Sequence, residues 1–261
     1  MKHVYLSPHL DDAVLSCGGA IHHQVAGGDE VLVITLFAGD PPPDRSLSDF
    51  AQGQPAHRMG APRPVALRRV EDAAALVLLG AGFVHLSFLD AIYRRGHREA
   101  GEAAGAWLYD GLDSLMGAVH PADPVTPAAL ADSVTDCLAG DGMETLYAPL
   151  AVGGHVDHRL VNQAARLLSK RGCRLVYYED YPYAEDSDRV GEALDAAGLA
   201  LWAGKPIPLS TSDIAAKVAA LAYYRSQLAV LFGEPEAMPS RVWSFAATRF
   251  QMGKLAERIW R

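Results

Sequence analysis

Apolar positions gather into five short runs, at residues 2–7, 30–38, 83–88, 144–150 and 174–179, each rich in aliphatic or aromatic side chains. Continuous rather than alternating apolar character predicts strands buried on both faces. Between the runs lie segments with helical spacing, at 11–25 closed by Gly27-Gly28, 66–79 closed by Gly80, 127–139, and 157–170 closed by Gly172. Glycine just past the last periodic residue is a helix stop. The alternation predicts an α/β fold, a doubly wound, mainly parallel Rossmann-like sheet with helices on both faces. Right-handed crossovers favour the strand order 3-2-1-4-5, and ligands bind where the connections of neighbouring strands 1 and 4 diverge.

Three stretches break this rhythm. Residues 39–64, opened by Pro41-Pro42-Pro43, are too long for an ordinary connection and are expected to form a substrate-facing loop. Residues 90–124 form a second excursion with a short helix expected near 107–116. Beyond Tyr183 the clearest element is a helix over 213–232, with Ile214, Val218, Leu221 and Leu228 on one stripe to pack on the sheet. The expected organisation is one catalytic domain over 1–261, with a core to about residue 185 and a C-terminal extension over 186–261.

Charge narrows the partners. Against 23 basic residues stand 31 acidic ones, for a net charge of -8, and no Lys/Arg cluster occurs that could neutralise a run of phosphates, so nucleic acid is not expected. Cys17, Cys137 and Cys173 lack metal or redox spacing and are too few for a disulfide framework, which fits a reducing cytoplasm. No signal peptide is read before Asp11. Residues 73–89 carry no formal charge, but Gly80, Gly82 and His85 interrupt them, and no membrane span is expected. The surface pattern does not decide oligomeric state.

The chemistry lies at the ends of strands 1 and 4. Ser7-Pro8-His9-Leu10-Asp11-Asp12 follows the first, and Gly153-Gly154-His155-Val156-Asp157-His158 follows the fourth. Two His/Asp-dense motifs thus arrive independently at the crevice that topology selects. Imidazoles and a carboxylate suit a borderline ion such as zinc, and three protein donors leave a position open for water. At a helix start the side chains of Asp11 and Asp12 diverge, so one carboxylate can bind metal while the other faces its water. His155 and His158, three apart, can share a face, one as ligand and the other toward substrate.

These motifs, His9-x-Asp11-Asp12 and His155-x-Asp157-His158, resemble the two signatures of the PIG-L/LmbE-like deacetylases, N-acetylglucosaminyl-phosphatidylinositol de-N-acetylase-like enzymes. Arg68-x-x-Glu71 with Leu79-Gly80, Asp90, and the Glu257-Arg258 region extend the resemblance over nearly the whole chain. It implies that His9, Asp12 and His158 bind Zn2+, with Fe2+ or another divalent ion as the alternative. It further implies that Asp11 is the general base, that His155 polarises the carbonyl and protonates the leaving amine with Asp157 orienting it, and that Arg68 and Asp90 contact substrate hydroxyls. The implied reaction removes an N-acyl group, acetyl first, from an amino sugar or its conjugate, a small-molecule glycoconjugate partner. Leu10 and Val156 stand where many members carry proline.

Plainer readings compete residue by residue. Asp11 alone would serve as a helix cap, and His9 or His158 alone as a hydrogen-bonded structural histidine. His3, His22, His23, His57, His85, His97 and His120 lack a motif and are read as structural or surface. Arg68-Arg69 with Glu71-Asp72 reads equally as a solvated helix start, and residues 177–183 as core packing with a polar turn, although a tyrosine there could stack on a sugar. Gly18-Gly19 does not extend to a dinucleotide fingerprint. Three rival functions share the donor set. The first is a hydratase of an unsaturated dicarboxylic acid, with Arg45, Arg63, Arg68, Arg94 and Arg95 as candidate cations. The second is an iron oxygenase, and the third a non-catalytic domain stabilised by metal.

Overall fold

The computed structural model describes residues 1–41, 47–54, 57, 63–96, 105–138, 145–250 and 253–261. Pro42, Pro43, Arg45, His97, Ala139 and Glu144 lie outside the described residues. Strands β1 (Lys2–Ser7), β2 (Glu30–Thr35), β3 (Gly82–His85), β4 (Thr145–Pro149), β5 (Leu175–Tyr178), β6 (Gly204–Pro208) and β7 (Ala256–Trp260) form a sheet in the order β3-β2-β1-β4-β5-β7-β6. The first five are parallel and follow the expected order, while β7 and β6 extend it antiparallel. β1 lies between β2 and β4, with Tyr5 opposite both Val33 and Tyr147. Its Val4, Tyr5 and Leu6 are fully buried, as a central strand covered on both faces requires.

The longer helices are α1 (Asp12–Ala26), α2 (Pro64–Leu79), α3 (Pro127–Cys137), α4 (Val156–Lys170), α5 (Ser187–Ala196), α6 (Thr211–Leu221) and α7 (Met238–Thr248). α1, α2 and α6 pack together on one side, and α3 and α4 pack together. Right-handed β1-α1-β2 and β4-α4-β5 crossovers leading in opposite directions place these two groups on opposite faces. The carboxyl ends of β1 and β4, from which α1 and α4 spring, therefore frame one crevice. No helix among the described residues is long and apolar enough to cross a membrane.

Four expectations are corrected. The run 30–38 outlasts β2, because Leu36, Phe37 and Ala38 leave the ladder yet stay buried. Helix 107–116 shrinks to the single turn Leu112–Leu115, with Tyr109 held instead by its hydroxyl, which donates to Asp123 at 2.7 Å and accepts from His120 N at 2.9 Å. The helix read over 213–232 is two pieces, α6 and Leu228–Phe232. The bend between them docks on α2, where Glu71 accepts from Ser226 N (2.9 Å) and Ser226 Oγ (2.6 Å) while Asp72 accepts from Tyr224 Oη (2.7 Å). Glu71 and Asp72 are accordingly buried, and the solvated reading of that helix start fails for them.

The extension completes the sheet and clamps α1. Glu257 on β7 is buried and accepts from the N–H groups of Gly19 (3.1 Å) and Ala20 (2.8 Å) and from Lys217 Nζ of α6 (2.6 Å). A Cβ on Gly19 would lie 2.7 Å from Leu209 and 3.2 Å from the Glu257 carboxylate. Gly18-Gly19 thus serves close packing rather than a nucleotide.

Candidate metal and catalytic site

The β1 motif enters the crevice as a tight turn in which Ser7 Oγ donates to His9 O (2.7 Å) and Asp12 Oδ2 accepts from His9 N (2.8 Å). The β4 motif turns through Ala151, Gly153 and Gly154, all with positive φ, and a Cβ on Gly153 would lie 2.9 Å from the Tyr183 ring. Leu10 and Val156, at the two proline-variant positions, are buried together in a small second core with Val65, Ile92, Tyr109 and Leu115. That core ties both motif turns to the 90–124 excursion.

The structure brings His9, Asp12 and His158 together. Asp12 Oδ2 lies 3.1 Å from His9 Nδ1 and 3.2 Å from His158 Nε2. Ligand-to-metal bonds of about 2.0–2.1 Å in a tetrahedron set donor-to-donor edges of about 3.3 Å, so the trio fits a small divalent ion. His9, His155 and Asp157 also approach one another. That alternative is weaker, because both Asp157 oxygens are taken: Oδ1 by Arg94 (2.5 Å), and Oδ2 by Ala91 N (3.0 Å) and His9 Nε2 (3.0 Å).

Each histidine is held from behind. His9 Nε2 meets Asp157, and His158 Nδ1 meets Asp180 Oδ1 at 2.6 Å, whose Oδ2 accepts from Val152 N at 2.9 Å. Such carboxylate–imidazole contacts fix tautomer and ring orientation at metal sites. Burial would raise the Asp12 carboxyl, but His158 foremost, then His9, hold it well below the usual range. Burial works against a proton on His158, yet Asp12 and then Asp180 push its pKa up to about 10. His158 Nε2 thus faces a carboxylate that either a proton or a cation satisfies.

The two aspartates diverge as the helix start dictates. Asp11 turns to Arg68, whose Nη2 donates to its Oδ2 at 3.3 Å. Burial, reinforced by Asp12 and opposed by Arg68, pushes the Asp11 carboxyl up to about 7. His155 is buried, and its pKa falls well below the ordinary histidine value through burial and then the neighbouring His9. Its Nδ1 accepts from Asp157 N (3.1 Å), which leaves the proton of the neutral ring on Nε2. The Asp157 carboxylate makes no hydrogen bond to His155. It grips His9 and Arg94, and Asp157 meets the His155 ring through its backbone N–H alone. Burial would raise Asp157, but Arg94 outweighs that and holds it well below the usual carboxylate range.

A pocket of about 240 Å³ opens over the cluster and is lined by His9, Asp11, Asp12, His155 and His158 together with Arg68 and Asp90. Asp90 Oδ2 stands 3.8 Å from His9 Nε2. His57, read as structural, also faces this pocket and pairs with Tyr93 Oη at 2.7 Å. Tyr181, Pro182 and Tyr183 line it as well, whereas Tyr177 and Tyr178 are core. His22 and His23, read as structural or surface, both contact Asp213 of α6, at 2.7 and 3.3 Å.

Sequence reasoning missed Asp180 and misplaced Arg94. The Arg94 guanidinium is 1% exposed, lies against the Phe37 and Tyr109 rings, and pairs with Asp157 and with Asp123 (3.1 Å). Asp180 carried a signal only in its place just past the end of β5, at the predicted crevice.

The fold is that of a doubly wound α/β protein, and the cluster of His9, Asp12 and His158 at its topological switch point could hold a divalent ion. Residues 4–169 match the family model PIG-L, GlcNAc-PI de-N-acetylase, and the chain belongs to that family. It is 32% identical to a 2'-N-acetylparomamine deacetylase of Streptomyces fradiae over 85% of this chain and 72% of the relative. It is 28% identical to a 2'-N-acetylparomamine deacetylase of Niallia circulans over 88% of this chain and 82% of the relative. The zinc-inhibited form of teicoplanin deacetylase superposes with a TM-score of 0.78 at 26% identity, over 100% of this chain and 97% of that one.

Proposed function

We propose that the protein is a metal-dependent N-deacetylase acting on an N-acetylated amino sugar within a larger conjugate, with all 261 residues as one catalytic unit. One observation carries the reading. Asp12 Oδ2 joins two imidazoles at 3.1 and 3.2 Å, while a further carboxylate, Asp11, and a neutral imidazole, His155, share the same pocket. A purely structural zinc site has four protein donors and no use for the extra pair.

His9, Asp12 and His158 would hold the ion, zinc in this reading, with Fe2+ as the alternative. When bound, such an ion polarises an amide carbonyl and makes water acidic enough to give hydroxide near neutral pH. Asp11 takes the proton of the attacking water. His155 donates a hydrogen bond from Nε2 to the carbonyl oxygen as charge develops there, and the proton that Asp11 took from water goes to the departing nitrogen, so the neutral ring of His155 keeps its N–H proton. The C–N bond breaks, and water is divided between an acid and an amine. Arg68 and Asp90 line the pocket where sugar hydroxyls would bind. The three free cysteines fit a reducing compartment, and the proposal includes a cytoplasmic location.

Hydration of an unsaturated dicarboxylate would need cations for two carboxylates. Among the described lining residues Arg68 is the only guanidinium. Arg94 is consumed by Asp157 and Asp123, Arg63 and Arg69 by Asp40, and Arg95 lies over Trp107.

The test is chelator-sensitive release of primary amine from a panel of N-acetylated amino-sugar conjugates, with bound metal measured in parallel. Zinc is titrated to one equivalent rather than added in excess, since the teicoplanin deacetylase superposed above is a zinc-inhibited form. Amine release that rises to one equivalent and is lost to chelator is expected. Bound metal with no amine release across the panel would overturn the reaction assignment.

A further inference from the structure

A second and larger cavity, about 570 Å³, lies behind the turn that carries His155. Leu150, Ala151, Gly153 and Gly154 of that turn form one wall, α5 another, and Arg159, Asn162 and Arg166 of α4 a third. Spaced three, four and seven apart, these α4 residues share one face.

The lining is cationic in a chain whose net charge is -8: Arg159, Arg166 and Arg189 face it against one carboxylate, Glu192. The two α4 guanidiniums are fixed by neutral groups. Arg159 Nε donates to Gly154 O (2.9 Å), while Arg166 donates to Asn162 Oδ1 (3.1 Å) and Ala197 O (2.6 Å). Among the described residues neither pairs with a carboxylate, and Arg189 has only Asp186 at 3.4 Å. Guanidiniums oriented by neutral acceptors keep their charge and their remaining N–H donors for an oxyanion. Leu150, Met116 and Ala193 give the cavity an apolar wall as well, which suits a molecule with a carbon frame.

We propose that this cavity is a second binding site, for a small organic anion bearing a carboxylate or phosphate group. It touches the first site at two points. Met116 lines both cavities, and the Arg159 guanidinium lies so close over Gly154, next to His155, that a Cβ there would stand 2.8 Å from Nη2. The anion is either an acidic group on the substrate or a separate small molecule, and the chemistry of capture is the same. The inference stands on the lining and is independent of the reaction assigned above.

Calorimetric titration of the full-length, metal-loaded protein with inorganic phosphate and with succinate tests it. Saturable binding is expected. It weakens by at least about tenfold in Arg166→Gln/Arg189→Gln and persists in His158→Gln, where the metal donor set is broken. Arg166 also holds Ala197 O, so the exposed Arg189→Gln alone gives an independent reading, an expected loss of about threefold. No saturable binding of either probe, or binding indifferent to these arginines, overturns the site. KM then separates the sources. The double variant raises KM only for an acidic N-acetylated sugar if the anion belongs to substrate, and for neither an acidic nor a neutral one if it is a separate molecule.

Discussion

His9 and His158 stand at nearly equal distances from Asp12, through Nδ1 and Nε2 respectively, but what stands behind them differs. His158 leans on Asp180, which is satisfied by one backbone N–H, from Val152 on the same β4–α4 turn. His9 leans on Asp157, and behind Asp157 stand a buried guanidinium, Arg94, and then Asp123, both from the 90–124 excursion. One side is supported by the sheet's own turns and the other by an inserted ionic chain. The excursion therefore belongs to the proposed metal site as much as the two motifs do, and a substitution far from any donor should be felt there.

The comparison can be broken or sharpened in steps. Asp12→Ala removes the donor shared by both sides, and a dialysed sample should hold less than a tenth of an equivalent of metal and show no measurable amine release. Arg94→Met strands two buried carboxylates, with an expected stability loss of about 3–5 kcal/mol read by urea denaturation, and weaker metal binding in the fraction that folds. If metal affinity survives Arg94→Met intact, the ionic chain is scaffolding only. Asp11→Asn lies outside both supports: metal content should stay at wild-type level while kcat falls by about 10²–10⁴-fold. Asp180→Asn and Asp157→Asn should each cost about 10–100-fold in metal affinity, with Asp157→Asn the costlier because it also strips Arg94 of a partner. Finally, protons compete with metal at both imidazoles, so apparent affinity should decline as pH falls, which a chelator competition series at stepped pH would show.

The sequence made the sheet's centre legible because β1, β2, β4 and β5 bury both faces and carry nearly unbroken apolar runs. Strand β6, GKPIP, escaped notice because two prolines and a half-exposed edge position erase that pattern. β7 escaped because Glu257 and Arg258 interrupt it, although Glu257 is buried by partners on α1 and α6. The bend after α6 was illegible for a related reason, since the carboxylate that satisfies Ser226 belongs to Glu71, 155 residues away. In the candidate site, the convergence of His9, Asp11, Asp12 and His158 on one pocket could be read because their spacing is local and each motif follows a strand end. Asp180 and the Arg94–Asp123 pair could not, because partnerships across the fold leave no periodicity in the chain. Arg94 was placed among candidate substrate cations because an arginine in an excursion ordinarily faces water.

The clamp of Glu257 on Gly19 and Ala20 joins residues up to 238 positions apart. Closing a span of that size costs about 5 kcal/mol in chain entropy on a logarithmic scale, more than one hydrogen-bonded carboxylate returns. The clamp therefore depends on the sheet to hold its two ends together. The helix that begins at Asp12 is thus held by the part of the chain most distant from it along the backbone. An enzyme-engineering library that varies residues 204–260 for specificity would also be altering the anchorage of the helix that carries Asp12 into the proposed site.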